Sequence, residues 1–386
     1  MTLVGSRNSR NMVPVNKPEK STPSEHLPIR ELSVAAYSVP TDFPESDGTL
    51  KWDKTTFVLV RAQADDKTGV GYTYANSPTA ELIRNTLIPL VRGKNAIDIP
   101  RCWSDMRHAI RNLGRPGVCS MAIAAVDSAL WDLKAKLLDL PLVSLLGAEQ
   151  SGVEIYGSGG FTSYSIAQLQ KQLGGWAEQG IKSVKMKIGR EPKQDVARVK
   201  AAREAIGKDT SLYVDANGAY SRKQALHLAE QFEQFGVSWF EEPVTSDDLE
   251  GLHLIRDLAP AQMDIAAGEY GYDLFYFKRM LDAGAVDVQQ ADASRCAGIS
   301  EFLRVGALCD AANMPMSAHT SPSLHLHPCC ALSRLRNIEY FHDHVRIENM
   351  FFDGVVRPVD GRLHPDLSRP GMGLEFKKAD AERYAA

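Results

Sequence analysis

The stretch SVKMKIGREPKQDVARVKAAREAIGKDTSLYVD, residues 183–215, decides the fold. A short β-like run ends in Lys187, a helical segment follows until Gly207 stops it, and a second β-like run ends in Asp215. The cycle recurs down the chain. Glu241 closes VSWF, Glu269 follows MDIAAG, Asp292 follows VDVQQA, His319 follows PMSA and Glu339 follows RNI. These seven ionisable residues stand 20 to 28 positions apart. That is about the length of one strand, one helix and two loops in a (β/α)8 barrel of ~250 residues. If each run is a parallel strand, all seven side chains gather at the C-terminal mouth, where barrels of this kind keep their chemistry.

Upstream, VEIYGS (153–158) supplies a first barrel strand, and QLQKQLGGWAEQG (168–180) the helix before SVKMK. Gly180, Gly207 and Gly236 fall where helices must end before the next strand. Before the barrel the pattern differs. LSVAAYSV (32–39) and TTFVLVRAQA (55–64) are β-like, and VPTDFPESDGTLKWD (39–53) between them reads as an exposed loop because Pro and Gly punctuate it. Asp65–Gly69 reads as a hairpin turn into VGYTYA. Helices are predicted over 79–93, 99–112 and 118–138. The third has an apolar face of Ala122, Ala125, Val126, Ala129, Leu130 and Leu133. The reading is thus α/β: a disordered polar tail over 1–29, an α+β domain over 30–150 and a barrel over 151–355. Residues 356–386 then pack back on the first domain.

Bulk composition narrows the function. The chain has 386 residues, with 44 basic against 48 acidic and a net charge of −4, so nothing recommends a nucleic-acid partner. No apolar run approaches the ~18 residues of a membrane span. The six cysteines are dispersed without C-x-x-C spacing, which argues against zinc and a disulfide framework and fits a reducing cytoplasm.

The strand ends carry the chemistry. Asp215, Glu241 and Glu269 come from three consecutive strands, and three oxygen ligands suit a hard dication such as Mg²⁺. Like charges so close resist ionising, and a dication removes that cost. Glu242 turns to the other side of its strand or behind the ligands. Lys185 and Lys187 alternate along one strand and face the same way. Mutual repulsion and desolvation are expected to lower their pKa toward the ~7–8 useful for a general base. Asp292 and His319 lie on successive strands, as a histidine needs if a carboxylate is to set its tautomer. Glu339 faces the metal ligands, where it either carries a proton and donates a hydrogen bond or forms a structural ion pair. His342 and His344 read as a polar loop, and His325 and His327 as packing or surface residues. The Gly157–Gly160 run lacks phosphate-loop spacing but permits close approach beside the site.

In this order, ALWDLKAKLLDLPLVSLLG (129–147), VKMKIG, VDAN, WFEEP, AAGE, QADASRCAG and SAH resemble the mandelate racemase group of the enolase superfamily. The likeness covers about residues 30–375. It implies that the first domain caps the barrel mouth. It implies Mg²⁺ on Asp215, Glu241 and Glu269, with Lys187 as one acid/base and the His319–Asp292 dyad as the other. Lys185 would help hold a substrate carboxylate, Glu339 would hydrogen-bond the developing ene-diolate, and Asn217 and Arg295 would lie near the substrate and the dyad. Relatives of this kind often form dimers or octamers. In one departure, Ala297 precedes Gly298 where the family often has two glycines.

The resemblance implies removal of a proton α to the carboxylate of a small molecule. Dehydration of a sugar acid to a 2-keto-3-deoxy acid is the leading expectation. Thr41, Asp42, Glu45, Asp47, Lys51, Trp52, Tyr72, Tyr74 and Asn76 of the first domain suit a polyol chain, with Trp52 and Tyr74 the chosen substrate contacts. A racemase, epimerase or lactone cycloisomerase is the nearest alternative, and a barrel that binds without turnover is the alternative of a different class.

Overall fold

The computed structural model describes residues 26–386; the disorder expected over 1–25 falls outside them. Eight parallel strands close into a barrel: β4 (Val153–Gly159), β5 (Ser183–Lys187), β6 (Ser211–Asp215), β7 (Val237–Glu241), β8 (Asp264–Ala267), β9 (Val288–Ala291), β10 (Met316–Ala318) and β11 (Leu335–Phe341). Each pairs with the next, and β11 pairs with β4 through Ile338–Ile155 and Glu339–Tyr156. Helices between consecutive strands cover the outside, burying residues such as Val199, Phe232 and Phe302 against the sheet. The interior is filled rather than hollow. Tyr156, Tyr213, Trp239, Ala266 and Val288 form a separate buried cluster, with Tyr213 and Trp239 stacked at 5.0 Å.

The cap begins with three antiparallel strands, β1 (Glu31–Ser46), β2 (Lys51–Ala64) and β3 (Lys67–Tyr74). The predicted loop over 39–53 is mostly strand. Proline is tolerated because β1 is an edge strand, and the pairing skips from Pro40 to Glu45 at a register shift. Only Asp47–Leu50 forms a turn at the tip. The helices run Pro78–Val91 with a wide turn at Ile83–Leu87, then Ile99–Ala109 and Val118–Leu137. The last lies directly on β3. At Gly71 an added Cβ would stand 2.3 Å from the Ala125 carbonyl oxygen, so glycine permits the approach. All six residues of the predicted apolar face are buried there.

Two terminal segments are docked. Residues 26–29, read as tail, lie against the cap: Ile29 is buried, and its N–H donates to the Lys94 carbonyl at 2.8 Å. Towards the other end, the N–H of Met372 donates to Asp132, and that of Ala386 to the Ala36 carbonyl. Arg362–Leu363 also adds an antiparallel pair to β4, so this segment touches the barrel as well as the cap. Among the described residues no helix is long and apolar enough to cross a membrane. All six cysteines are buried and free.

Candidate active site

Parallel register does most of the assembly. Lys187 stands beside Asp215, and Asp215 beside Glu241, at the last paired positions of β5, β6 and β7. Glu269, Asp292 and His319 follow one or two residues beyond β8, β9 and β10, and Glu339 lies within β11. All seven meet at one end of the barrel. The candidate ligand oxygens of Asp215, Glu241 and Glu269 lie within 4.8 Å of one another.

The lysines differ from expectation. Lys185 is sealed beneath the mouth, in contact with Glu241, 2.8 Å from Glu339 and 3.4 Å from Asp215. Burial pulls its pKa down, but the carboxylates outweigh burial and drive it well up. Lys187 contacts Asp215, and there too the carboxylate charge overcomes burial and raises the pKa. Repulsion between the lysines and desolvation do act downward, but five of the seven strand-end groups are carboxylates, and their attraction wins. Of the two readings of Glu339, the ion pair is the one formed, with Lys185 at 2.8 Å. Burial would raise its pKa, yet Lys185 and His319 hold it well below the carboxylate range, so it is ionised rather than protonated. Its oxygens accept from the Ser158 hydroxyl at 2.6 Å and the Thr320 N–H at 3.1 Å. Ser158 comes from the glycine-rich run, whose small neighbours mark a tight place but not this contact.

The His319–Asp292 pair is formed, with Nδ1 2.9 Å from the Asp292 carboxylate. Burial opposes ionisation of Asp292, but the His319 hydrogen bond and the nearby His325 and Arg295 hold its pKa down. An ionised carboxylate only accepts, so Nδ1 carries the proton and the other nitrogen, Nε2, faces the cavity floor. Nε2 lies 3.3 Å from Glu269 and 3.6 Å from Glu339. Arg295 is 3.3 Å from Glu269 and 3.7 Å from Asp292, tying dyad to ligand trio. Ala297 takes up φ +65° in the turn that follows, doing the work of the missing glycine.

His325 was read as packing or surface and is buried. Its Nε2 accepts from the Ala293 N–H at 2.8 Å, while Nδ1 sits 2.9 Å from the Thr320 carbonyl, so it binds the Asp292 loop to the His319 loop. His342 and His344 open the helix His342–Phe351 rather than a loop. His344 is buried, stacked on Tyr74 at 3.4 Å between ring centroids, and lines the cavity.

A cavity of about 400 Å³ lies between cap and mouth. Lys187, Asn217, Glu269, Arg295, His319 and Glu339 form its floor. The cap supplies Asp47, Leu50, Trp52, Lys54, Thr55, Thr56, Tyr74, Ala75 and Asn76. Lys185, Asp292, Asp215 and Glu241 lie beneath the surface of the floor. Among the cap residues named from sequence, Thr41, Asp42, Glu45, Lys51 and Tyr72 stay outside the cavity lining. Tyr72 donates to Glu348 in the core, and Asp42 pairs with Arg346. Lys54, Thr56 and His344 were missed; the alternation Trp52, Lys54, Thr56 along a strand could have found the first two.

The trio fits a hard dication. Burial and the neighbouring Asp215 charge drive the Glu241 pKa well above normal, a cost that bound positive charge relieves. Glu269 Oε2 also lacks a hydrogen-bond partner. Both the all-oxygen donor set and the charge point to Mg²⁺.

Comparison with known proteins places the chain in a family. Residues 30–147 match the N-terminal domain of the mandelate racemase / muconate lactonizing enzyme family, and residues 168–381 match the enolase C-terminal domain-like family. The chain belongs to the mandelate racemase / muconate lactonizing enzyme family of the enolase superfamily. A mandelate racemase/muconate lactonizing enzyme-like protein from Rubrobacter xylanophilus superposes with a TM-score of 0.91 at 52% identity, over 93% of this chain and 100% of that one. L-talarate/galactarate dehydratase of Salmonella typhimurium is 32% identical over 80% of this chain and 77% of its own. Its structure liganded with Mg and L-lyxarohydroxamate superposes at 0.85, with 28% identity, over 99% and 98% of the two chains. The 3,6-anhydro-alpha-L-galactonate cycloisomerase of Streptomyces coelicolor is 30% identical over 88% of this chain and 94% of its own. The protein is an enzyme of this superfamily, with Mg²⁺ as its metal.

Proposed function

We propose that the protein dehydrates a sugar acid, an aldonate or aldarate, to a 2-keto-3-deoxy acid. The observation that carries the reading is the placement of Lys187 and His319. Lys187 ends β5 and His319 follows β10, nearly across the barrel from each other, and both line one cavity. Two proton-transfer groups can thus reach opposite faces of one substrate.

Bound to Asp215, Glu241 and Glu269, Mg²⁺ would offset the carboxylates that hold Lys187 as an ammonium and stabilise negative charge developing on a substrate carboxylate. Lys187, as the amine, takes the proton α to that carboxylate. Lys185 and Glu339 fix the floor beside it, and Asn217 and Arg295 orient the acid. His319, as the imidazolium on Asp292, gives its proton to the β-hydroxyl. The C–O bond breaks, water leaves, and the enol tautomerises to the keto acid. Trp52 and Tyr74 bound the polyol chain.

Incubation with Mg²⁺ and a panel of aldonic and aldaric acids tests this. A 2-keto-3-deoxy product supports it, and absence of that product from every acid defeats it. The cycloisomerase relative favours one second reading, isomerisation with the same bases. Solvent deuterium entering at the α-carbon without loss of water would select it. Neither product nor exchange would indicate a binding barrel. Dimeric or octameric assembly, supported by family membership alone, is checked by light scattering.

A further inference from the structure

We infer that the substrate carries a second anionic group, a distal carboxylate, and that Lys54 recognises it; this rests on the sugar-acid reading above. Successive side chains on a strand alternate, so Trp52, Lys54 and Thr56 share one face of β2; all three line the cavity, as does Thr55 between them. A lysine on an open surface is ordinarily solvated. Lys54 is exposed too, but it lines a cavity, on a wall whose other charges are engaged. Lys187 contacts Asp215, and Arg295 spans Glu269 and Asp292. Asp47, the cap's one acid in this lining, accepts from the N–H groups of Thr49 and Leu50, both at 2.6 Å. Among the described residues Lys54 has no ion-pair partner.

The two ends of the cavity therefore ask for different things. The floor takes the carboxylate next to the reacting carbon. The cap wall offers a free ammonium, with the Thr56 hydroxyl and Asn76 amide nearby in the lining. A terminal CH₂OH satisfies the hydroxyl and the amide but leaves the ammonium unmatched. A terminal carboxylate matches all three. The substrate class is an aldarate rather than an aldonate.

The test pairs acids of one configuration, galactarate with galactonate and glucarate with gluconate, on the Mg²⁺-loaded enzyme. The expected result is a preference for an aldarate over its aldonate. In Lys54→Met, the aldarate kcat/KM should fall by about ten- to a hundred-fold, chiefly through KM, and by at least ten-fold more than the aldonate value. Lys54→Arg should restore most of the loss, which separates charge recognition from a folding defect. An aldonate preferred by the parent, or equal losses on both acids in Lys54→Met, overturns the inference while leaving dehydration intact. Preference for a 6-phosphorylated aldonate over the aldarate also overturns the carboxylate assignment. No product from any acid overturns the dehydration reading, and this inference with it.

Discussion

At the floor of the cavity, proton transfer rests on a few atoms. Lys187→Ala and His319→Asn should each lower turnover by about a hundred- to ten-thousand-fold, read as kcat in the product assay. Solvent-deuterium exchange at the α-carbon should go with Lys187. Asp292→Asn keeps the shape of the dyad but exchanges an acceptor-only carboxylate for an amide that can also donate. The tautomer of His319 is then no longer fixed, and kcat should fall by at least about a hundred-fold with little change in KM. The strand-end residues were legible because period and spacing alone determine where they fall. Their protonation was not. Lysine repulsion was visible in Lys-x-Lys, but the surplus of carboxylates acting on both lysines and on Glu339 depends on which side chains the closed sheet brings within about 4 Å. His344 was invisible for the same reason, since its stacking on Tyr74 joins two residues 270 positions apart.

The turn between β1 and β2 shows how an element is built for closeness. Gly48 sits against the barrel mouth, where an added Cβ would lie 2.3 Å from the Ala216 carbonyl oxygen and 2.8 Å from that of Ile188. Arg190 donates to the carbonyls of Asp47 and Leu50, and Thr162 to that of Asp47. Gly48→Ala should push this turn off the mouth. We expect destabilisation of about 1–3 kcal/mol, read from the chemical midpoint, together with a raised KM, because Leu50 and Trp52 move with the turn. The helix Pro322–Cys330 offers a pH test. His327 accepts from the Val143 N–H at 3.1 Å, and burial lowers its pKa to about 4. Between pH ~6.5 and 4 the unfolded chain holds the extra proton, so this histidine's contribution is present above that window and lost as pH falls through it. The loss should reach about 3 kcal/mol. His327→Gln should flatten that slope in urea titrations at pH 7 and pH 4.5. The sequence showed this helix only as a place for packing. It found the first half of β1 but misread the second half, Pro40–Ser46, as loop, since prolines look alike on an edge strand and in a coil until the partner strand is known.

For the whole molecule, an ion that binds only the folded chain adds to its stability by mass action. Removing Mg²⁺ with a chelator should abolish turnover, and its return should restore it. At a hundred-fold excess over its Kd, the ion should stabilise the native state by about 2.7 kcal/mol, visible as a rise in Tm that Glu269→Gln diminishes. The repeat of strand and helix made the barrel readable from its first complete cycle. The cavity was less readable. Its floor comes from the ends of six strands that follow one another in the sequence pattern, while its roof comes from β2 and β3, whose aim at the mouth is set by packing between domains. The aromatic filling of the barrel brings one more consequence. The indole N–H of Trp239 donates to Glu241 at 3.0 Å, beneath the ligand trio. That indole is a built-in optical reporter. Titrating Mg²⁺ should alter its emission saturably, and Trp239→Phe should silence the signal against the other four tryptophans, so that occupancy can be read by fluorescence with no substrate in hand.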